Sequence, residues 1–150
     1  MKGPKCSATV LLDLSHMKSG DHAGFCAFND ETGALMVKKE GKKLTLCATE
    51  LSVKLSPRDK AVENVTEKIV EQLPLTTTKL WLRIDANFVP RTDIATFYYS
   101  LDGEHWQQMA GDYRLHFDWQ RFFMGSKYAL FCYATQKTGG YVDVDSFIVE

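Results

Sequence analysis

Alternation of apolar and polar positions dominates the chain. Leu80, Leu82, Ile84, Ala86 and Phe88 fall on one face of an extended segment, and Trp81, Arg83, Asp85 and Asn87 fall on the other. That period of two predicts a half-buried strand. Residues 7–14 repeat it with Ala8, Val10, Leu12 and Leu14 inward, and residues 43–49 with Leu44, Leu46 and Ala48 inward. Residues 24–29 and 34–39 flank Asn29-Asp30-Glu31-Thr32-Gly33, a hairpin signal, and Glu40-Gly41-Lys42 predicts the next turn. Residues 94–100, rich in aromatic and β-branched side chains, lead into Asp102-Gly103, a strong turn signal, and 106–109 return from it. Residues 128–134 (YALFCYA) are apolar on both faces, as in a strand at the middle of a packed sandwich, and Gly139-Gly140 precede a last strand over 141–149.

One segment carries two periods. Val62, Val65, Ile69, Val70 and Leu73 are spaced like a helical stripe, while 67–73 also fit a strand that ends at Pro74. Both readings of 62–73 stay open. Short strands separated by turn signals every 8–12 residues predict an all-β, two-sheet antiparallel sandwich. No repeat, linker or low-complexity tract divides the chain, so residues 1–150 form one expected domain.

Composition narrows the function classes. With 18 Lys and Arg against 19 Asp and Glu, the net charge is −1, and no basic stripe suggests a nucleic-acid partner. No apolar run approaches the 18 residues of a membrane-spanning helix. The first residues lack the apolar core and small-residue site of a signal peptide. Cys6, Cys26, Cys47 and Cys132 have no metal-binding spacing and read as free thiols, with one disulfide as the alternative.

Candidate chemistry is sparse. No nucleophile elbow, zinc-protease helix or phosphate loop is present. His16 and His22 flank a polar turn, as a metal pair or as surface histidines; His105 and His116 read as exposed. Asp143 and Asp145 share one strand face, and Asp85 lies on the polar face of another. Those carboxylates suit an acid–base pair, a calcium site, hydrogen bonds to sugar hydroxyls, or a solvated strand face. Trp81 beside Arg83, Asp85 and Asn87, and Tyr141 beside Asp143, suit a sugar. The flat ring covers the C–H face while polar groups meet hydroxyls. The alternative for Trp81 is packing under a loop or an opposing sheet. Phe117, Trp119, Phe122 and Phe123 crowd one loop, which either plugs an end of the sandwich or meets a partner surface.

The ordered series FYYSLDGEHWQQMAGDYRLHFDW (97–119), RFFMGSKYALFCYATQKTGGYVDVDSFIVE (121–150) and GPKCSATVLLDLSHMKSGDHAGFCAFND (3–30) resembles the C-terminal β-sandwich of glycoside hydrolase family 43, whose members are β-xylosidases and α-arabinofuranosidases. The resemblance spans nearly the whole chain and implies a concanavalin A-like jelly roll. It also implies a non-catalytic accessory domain, because the family's catalysis resides in a separate five-bladed propeller. Two roles follow as expectations. The domain binds xylan-type polysaccharide through Trp81, Arg83, Asp85, Asn87, Tyr141 and Asp143, or it docks on the propeller through the 117–123 loop. In the second role Trp119, Phe122 and Phe123 face the active site, with Phe123 at the matching position. No catalytic residue, metal ligand or cofactor is carried over; a structural calcium stays open. Family domains have some tens of residues upstream of the point matching Gly3. If those strands are missing here, a sheet edge is open, and self-association or a swapped strand is expected.

Overall fold

The computed structural model describes the chain outside residues 119–123. Two five-stranded antiparallel sheets face each other. The first has the order β12-β1-β6-β7-β8: β1 is Lys5–Asp13, β6 Lys79–Asn87, β7 Ile94–Ser100, β8 Gln107–Arg114 and β12 Asp143–Val149. The second has the order β11-β2-β3-β4-β5: β2 is Asp21–Phe28, β3 Glu31–Glu40, β4 Lys43–Leu55, β5 Val62–Leu75 and β11 Lys127–Ala134. A two-residue pair, β9 (Phe117–Asp118) with β10 (Met124–Gly125), stands apart from both.

Period-two residues build the core. Ala8, Val10 and Leu12 of β1 and Leu80, Leu82, Ile84 and Ala86 of β6 meet Phe25, Leu35, Val37 and Leu46 of the opposite sheet, all essentially without solvent contact. Each Val, Leu, Ile or Phe among them contributes about 1.5–3 kcal/mol on burial. The turn after β7 is closed by one carboxylate. Asp102 Oδ1 accepts from the backbone N–H groups of Glu104 (2.9 Å) and His105 (2.8 Å), and Oδ2 lies 2.7 Å from His105 Nδ1. These bonds hold the Asp102 carboxyl well below the usual carboxylate range, the backbone bond from His105 having the largest effect.

The ambiguous segment 62–73 is strand, along the whole of β5. Its helix-like spacing arises from two irregularities in the β4–β5 ladder, between Ala48 and Thr49 and between Lys54 and Leu55. An extra residue at each resets the alternation, so Val62 pairs with Leu55 while Val65 pairs with Val53. Pro74 sits inside β5 rather than ending it, as an edge strand permits. The YALFCYA segment is a strand but an edge one: β11 pairs only with β2 among the described residues, and Leu130 and Cys132 are exposed. Its two-sided apolarity has a different cause from a central position. One face meets the core rim, and the other walls the outer face of the second sheet, where Phe131 lies against Gly24.

Candidate functional site

The six residues expected to meet a sugar share the outer face of the first sheet but not one site. Arg83, Asp85 and Asn87 line a shallow depression of about 400 Å³ with Ser7, Thr96 and Tyr98. Arg83 Nε donates to Asp85 Oδ1 at 2.6 Å, since residues i and i+2 of a strand point the same way. That hydrogen bond strengthens the hold of the guanidinium on its proton. Asp143 lies at the far end of the same face. It pairs across the sheet with Asp13, which pairs with Lys79, six residues from Asp85. At about 3.4 Å per residue, that is roughly 20 Å.

Trp81 stands between the two groups and is partly covered. Gly103, at φ +81°, comes so close to the indole that a Cβ there would stand 3.0 Å from Cε2. Tyr141 stacks on His16, with ring centroids 4.5 Å apart and planes 13° apart, and His16 Nδ1 lies 3.5 Å from Asp143 Oδ2. Asp145 is paired with Lys79 at 2.9 Å. His16 and His22 do not form a pair: His22 is on the second sheet and meets Tyr133 Oη at 3.1 Å. Among the described residues, no three His, Cys, Asp or Glu side chains converge as metal ligands would.

Trp119, Phe122 and Phe123 lie outside the described residues, but the strands on either side of them have a clear position. Asn29 Nδ2 donates to His116 O at 2.8 Å, Ser126 Oγ to the same carbonyl at 3.3 Å, and His116 Nε2 lies 3.2 Å from Glu31 Oε2. The β9–β10 pair is thus tied to the β2–β3 turn. Beside that turn runs a groove of about 380 Å³ on the outer face of the second sheet. Phe28 and Phe131 form one wall, Leu51, Val53 and Val65 the other, and Cys26 and Met36 the floor. Phe28, Val62, Val65 and Phe117 are exposed at this end of the sandwich. Period-two reading did not single out this surface, because the bulges in β5 disguise which face its valines occupy.

The sandwich topology and the sequence meet in one family. Residues 1–150 match the model of the β-xylosidase C-terminal concanavalin A-like domain. The chain belongs to this family of glycoside hydrolase family 43 domains. Solved structures agree with it. A family 43 glycoside hydrolase engineered to display both endo-xylanase and exo-arabinofuranosidase activity is 29% identical at a TM-score of 0.86, over 98% of this chain and 29% of that one. A bifunctional GH43-CE protein of Bacteroides eggerthii is 34% identical at 0.85, over 99% and 18%. The xylan β-1,4-xylosidase of Bacillus halodurans, 16% identical at 0.73 over 100% and 28%, shares the fold. This C-terminal domain thus spans less than a third of the length of each of these proteins. No curated protein matches the sequence.

Proposed function

We propose that this sandwich is the non-catalytic accessory domain of a xylan-degrading enzyme and that it docks on the catalytic propeller through the end carrying the β9–β10 pair. The observation that carries this reading is the cluster of exposed apolar side chains there: Phe28, Val62, Val65 and Phe117, beside an apolar groove. Large apolar patches on a folded surface mark contacts with partners. The β9 and β10 strands that flank residues 119–123 lie at the same end, and in this reading Trp119, Phe122 and Phe123 complete the catalytic pocket. Co-expression with a family 43 propeller tests it. Co-elution and restored xylosidase activity are expected, and Val65→Asp with Phe28→Asp should abolish both. Two partners that never co-elute would overturn it.

A second reading rests on the depression at Arg83, Asp85, Asn87 and Tyr98. Half-exposed hydrogen-bonding groups surround an aromatic ring there, which suits a weakly held xylo-oligosaccharide.

A further inference from the structure

We propose that the groove on the outer face of the second sheet binds a small aromatic alcohol, its ring lying over Cys26 and Met36 and its hydroxyl meeting Tyr133 and the Lys38–Glu67 pair. The sheet is curled there. On β4, Thr45 pairs with Lys38 and Leu51 with Glu67. Thr45 and Leu51 lie six residues apart, about 20 Å along the strand. Lys38 Nζ nevertheless donates to Glu67 Oε1 at 2.6 Å. Val65 of β5 and Phe131 and Tyr133 of β11, from the first and last strands of the sheet, accordingly line one groove of about 380 Å³.

The lining selects the body of the ligand. Cys26 and Met36 form the floor, both buried. Phe131 lies so low on the sheet that a Cβ on Gly24 would stand 2.9 Å from its Cζ. Sulfur at a ring edge and a second ring alongside favour an aromatic ligand over an aliphatic one. At the Phe28 end, the turn bonds to itself and to β9. Asn29 N–H donates to Thr32 Oγ1 at 3.1 Å, Thr32 Oγ1 donates to Asn29 O at 2.7 Å, and Asn29 Nδ2 donates to His116 O. A saccharide would bury hydroxyls against the apolar floor without partners, and a polypeptide segment would leave backbone N–H and C=O groups unpaired there. Both cost affinity. A ring with a single hydroxyl incurs neither cost.

One corner of the groove supplies the polar chemistry. Tyr133 Oη lies 3.1 Å from His22 Nδ1 and 4.0 Å from Met36 Sδ. Burial pushes the Tyr133 phenol above its ordinary value, and Glu67 adds to that; burial pushes the His22 imidazole down, and Lys38 adds to that. The ion pair therefore acts on both rings. A ligand hydroxyl both donates and accepts, which suits this corner: the Tyr133 and Glu67 oxygens accept from it, and the Lys38 ammonium donates to it. The inference does not rest on the docking reading, because the decisive contacts are the floor and Tyr133 and not the exposed rim at Phe28 and Val65.

Chemical-shift titration of the isotope-labelled chain tests the proposal with para-ethylphenol, ethylbenzene, hexanol and xylose as probes. Para-ethylphenol should bind with millimolar affinity and move the amide signals of Cys26, Met36 and Leu51. Ethylbenzene, which lacks the hydroxyl, should bind about fivefold more weakly. Hexanol, which lacks the ring, should also bind more weakly, and xylose should leave these amides in place. Tyr133→Phe keeps the ring and removes its hydroxyl. It should weaken para-ethylphenol about fivefold and leave ethylbenzene unchanged. Ala129→Trp, at a partly exposed lining position, should fill the groove and abolish both, with circular dichroism matching the parent; if that variant misfolds, the Tyr133→Phe comparison decides. Co-elution with a propeller should survive Tyr133→Phe, so ligand binding and docking fail separately. No shift with para-ethylphenol overturns the proposal. So does equal affinity for ethylbenzene, hexanol or xylose, or a Tyr133→Phe variant that weakens para-ethylphenol and ethylbenzene alike.

Discussion

Gly103 is packed against Trp81: a Cβ built on its α-carbon would stand 3.0 Å from Cε2 and 3.2 Å from Nε1 of the indole. Two constraints meet at this glycine, the contact and a φ of +81°, which side chains of L-residues rarely adopt. The tryptophan that looked most like a sugar platform is in part a packing residue that seats the β7–β8 turn.

Gly103→Ala should therefore destabilise the domain by about 2 kcal/mol, from a left-handed backbone cost of about 1–2 kcal/mol plus displacement of the ring. Urea unfolding followed by tryptophan fluorescence measures it. An unchanged midpoint would show that the turn yields freely.

Saccharide binding, where it occurs, should depend on the depression and not on the indole. Asn87→Ala or Tyr98→Ala should weaken xylo-oligosaccharide binding by about 1 kcal/mol, roughly fivefold. Trp81→Ala should lower stability and leave binding in place. Chemical-shift titration at millimolar ligand separates the cases, and the reverse ranking would return the site to Trp81.

His22 is held below the ordinary imidazole value of 6.5, first by burial and then by the nearby Lys38 ammonium. A lowered folded value means that protonation favours the unfolded chain. The stability this residue contributes is fully present above about pH 6.5. It falls as pH drops through that value and levels off below the lowered folded value. NMR titration should place the His22 midpoint below the ordinary imidazole value of 6.5. His22→Gln should flatten the stability loss across this window, and a His22 midpoint above 6.5 would reverse the sign.

The four thiols should react in a set order. Cys132 is exposed, whereas Cys6, Cys26 and Cys47 are buried, and burial pushes the Cys26 thiol up to about 12. At pH 8 a thiol of that pKa is ionised to only about one part in ten thousand. Native alkylation followed by peptide mass analysis should label Cys132 first and Cys26 only on unfolding. Early labelling of Cys26 would mean that the outer face of the second sheet opens readily.

The strands with one buried face were legible without coordinates. In β1 and β6 a side chain either enters the core or leaves it, so Ala8, Val10, Leu80 and Ile84 announce both element and orientation. The alternation failed where that condition failed. β5 is exposed along most of its length and twice irregular in register, so its valines mimic a helix. β11 is apolar on both faces because it borders a groove as well as the core rim, and its residues alone do not reveal how many neighbours it has.

The sequence by itself determined the fold class, the inward residues of the central strands and the family, because hydrophobic alternation and ordered turn residues are local properties. Tertiary structure decided which polar residues share a surface. Arg83, Asp85 and Asn87 stay together because they lie on one strand, while Asp143 and Tyr141 fall at the other end of the sheet, through a β1–β12 register that no local pattern encodes. The packing of Gly103 on Trp81 has the same origin. It depends on where separate segments come to lie, and only the closed sandwich sets that.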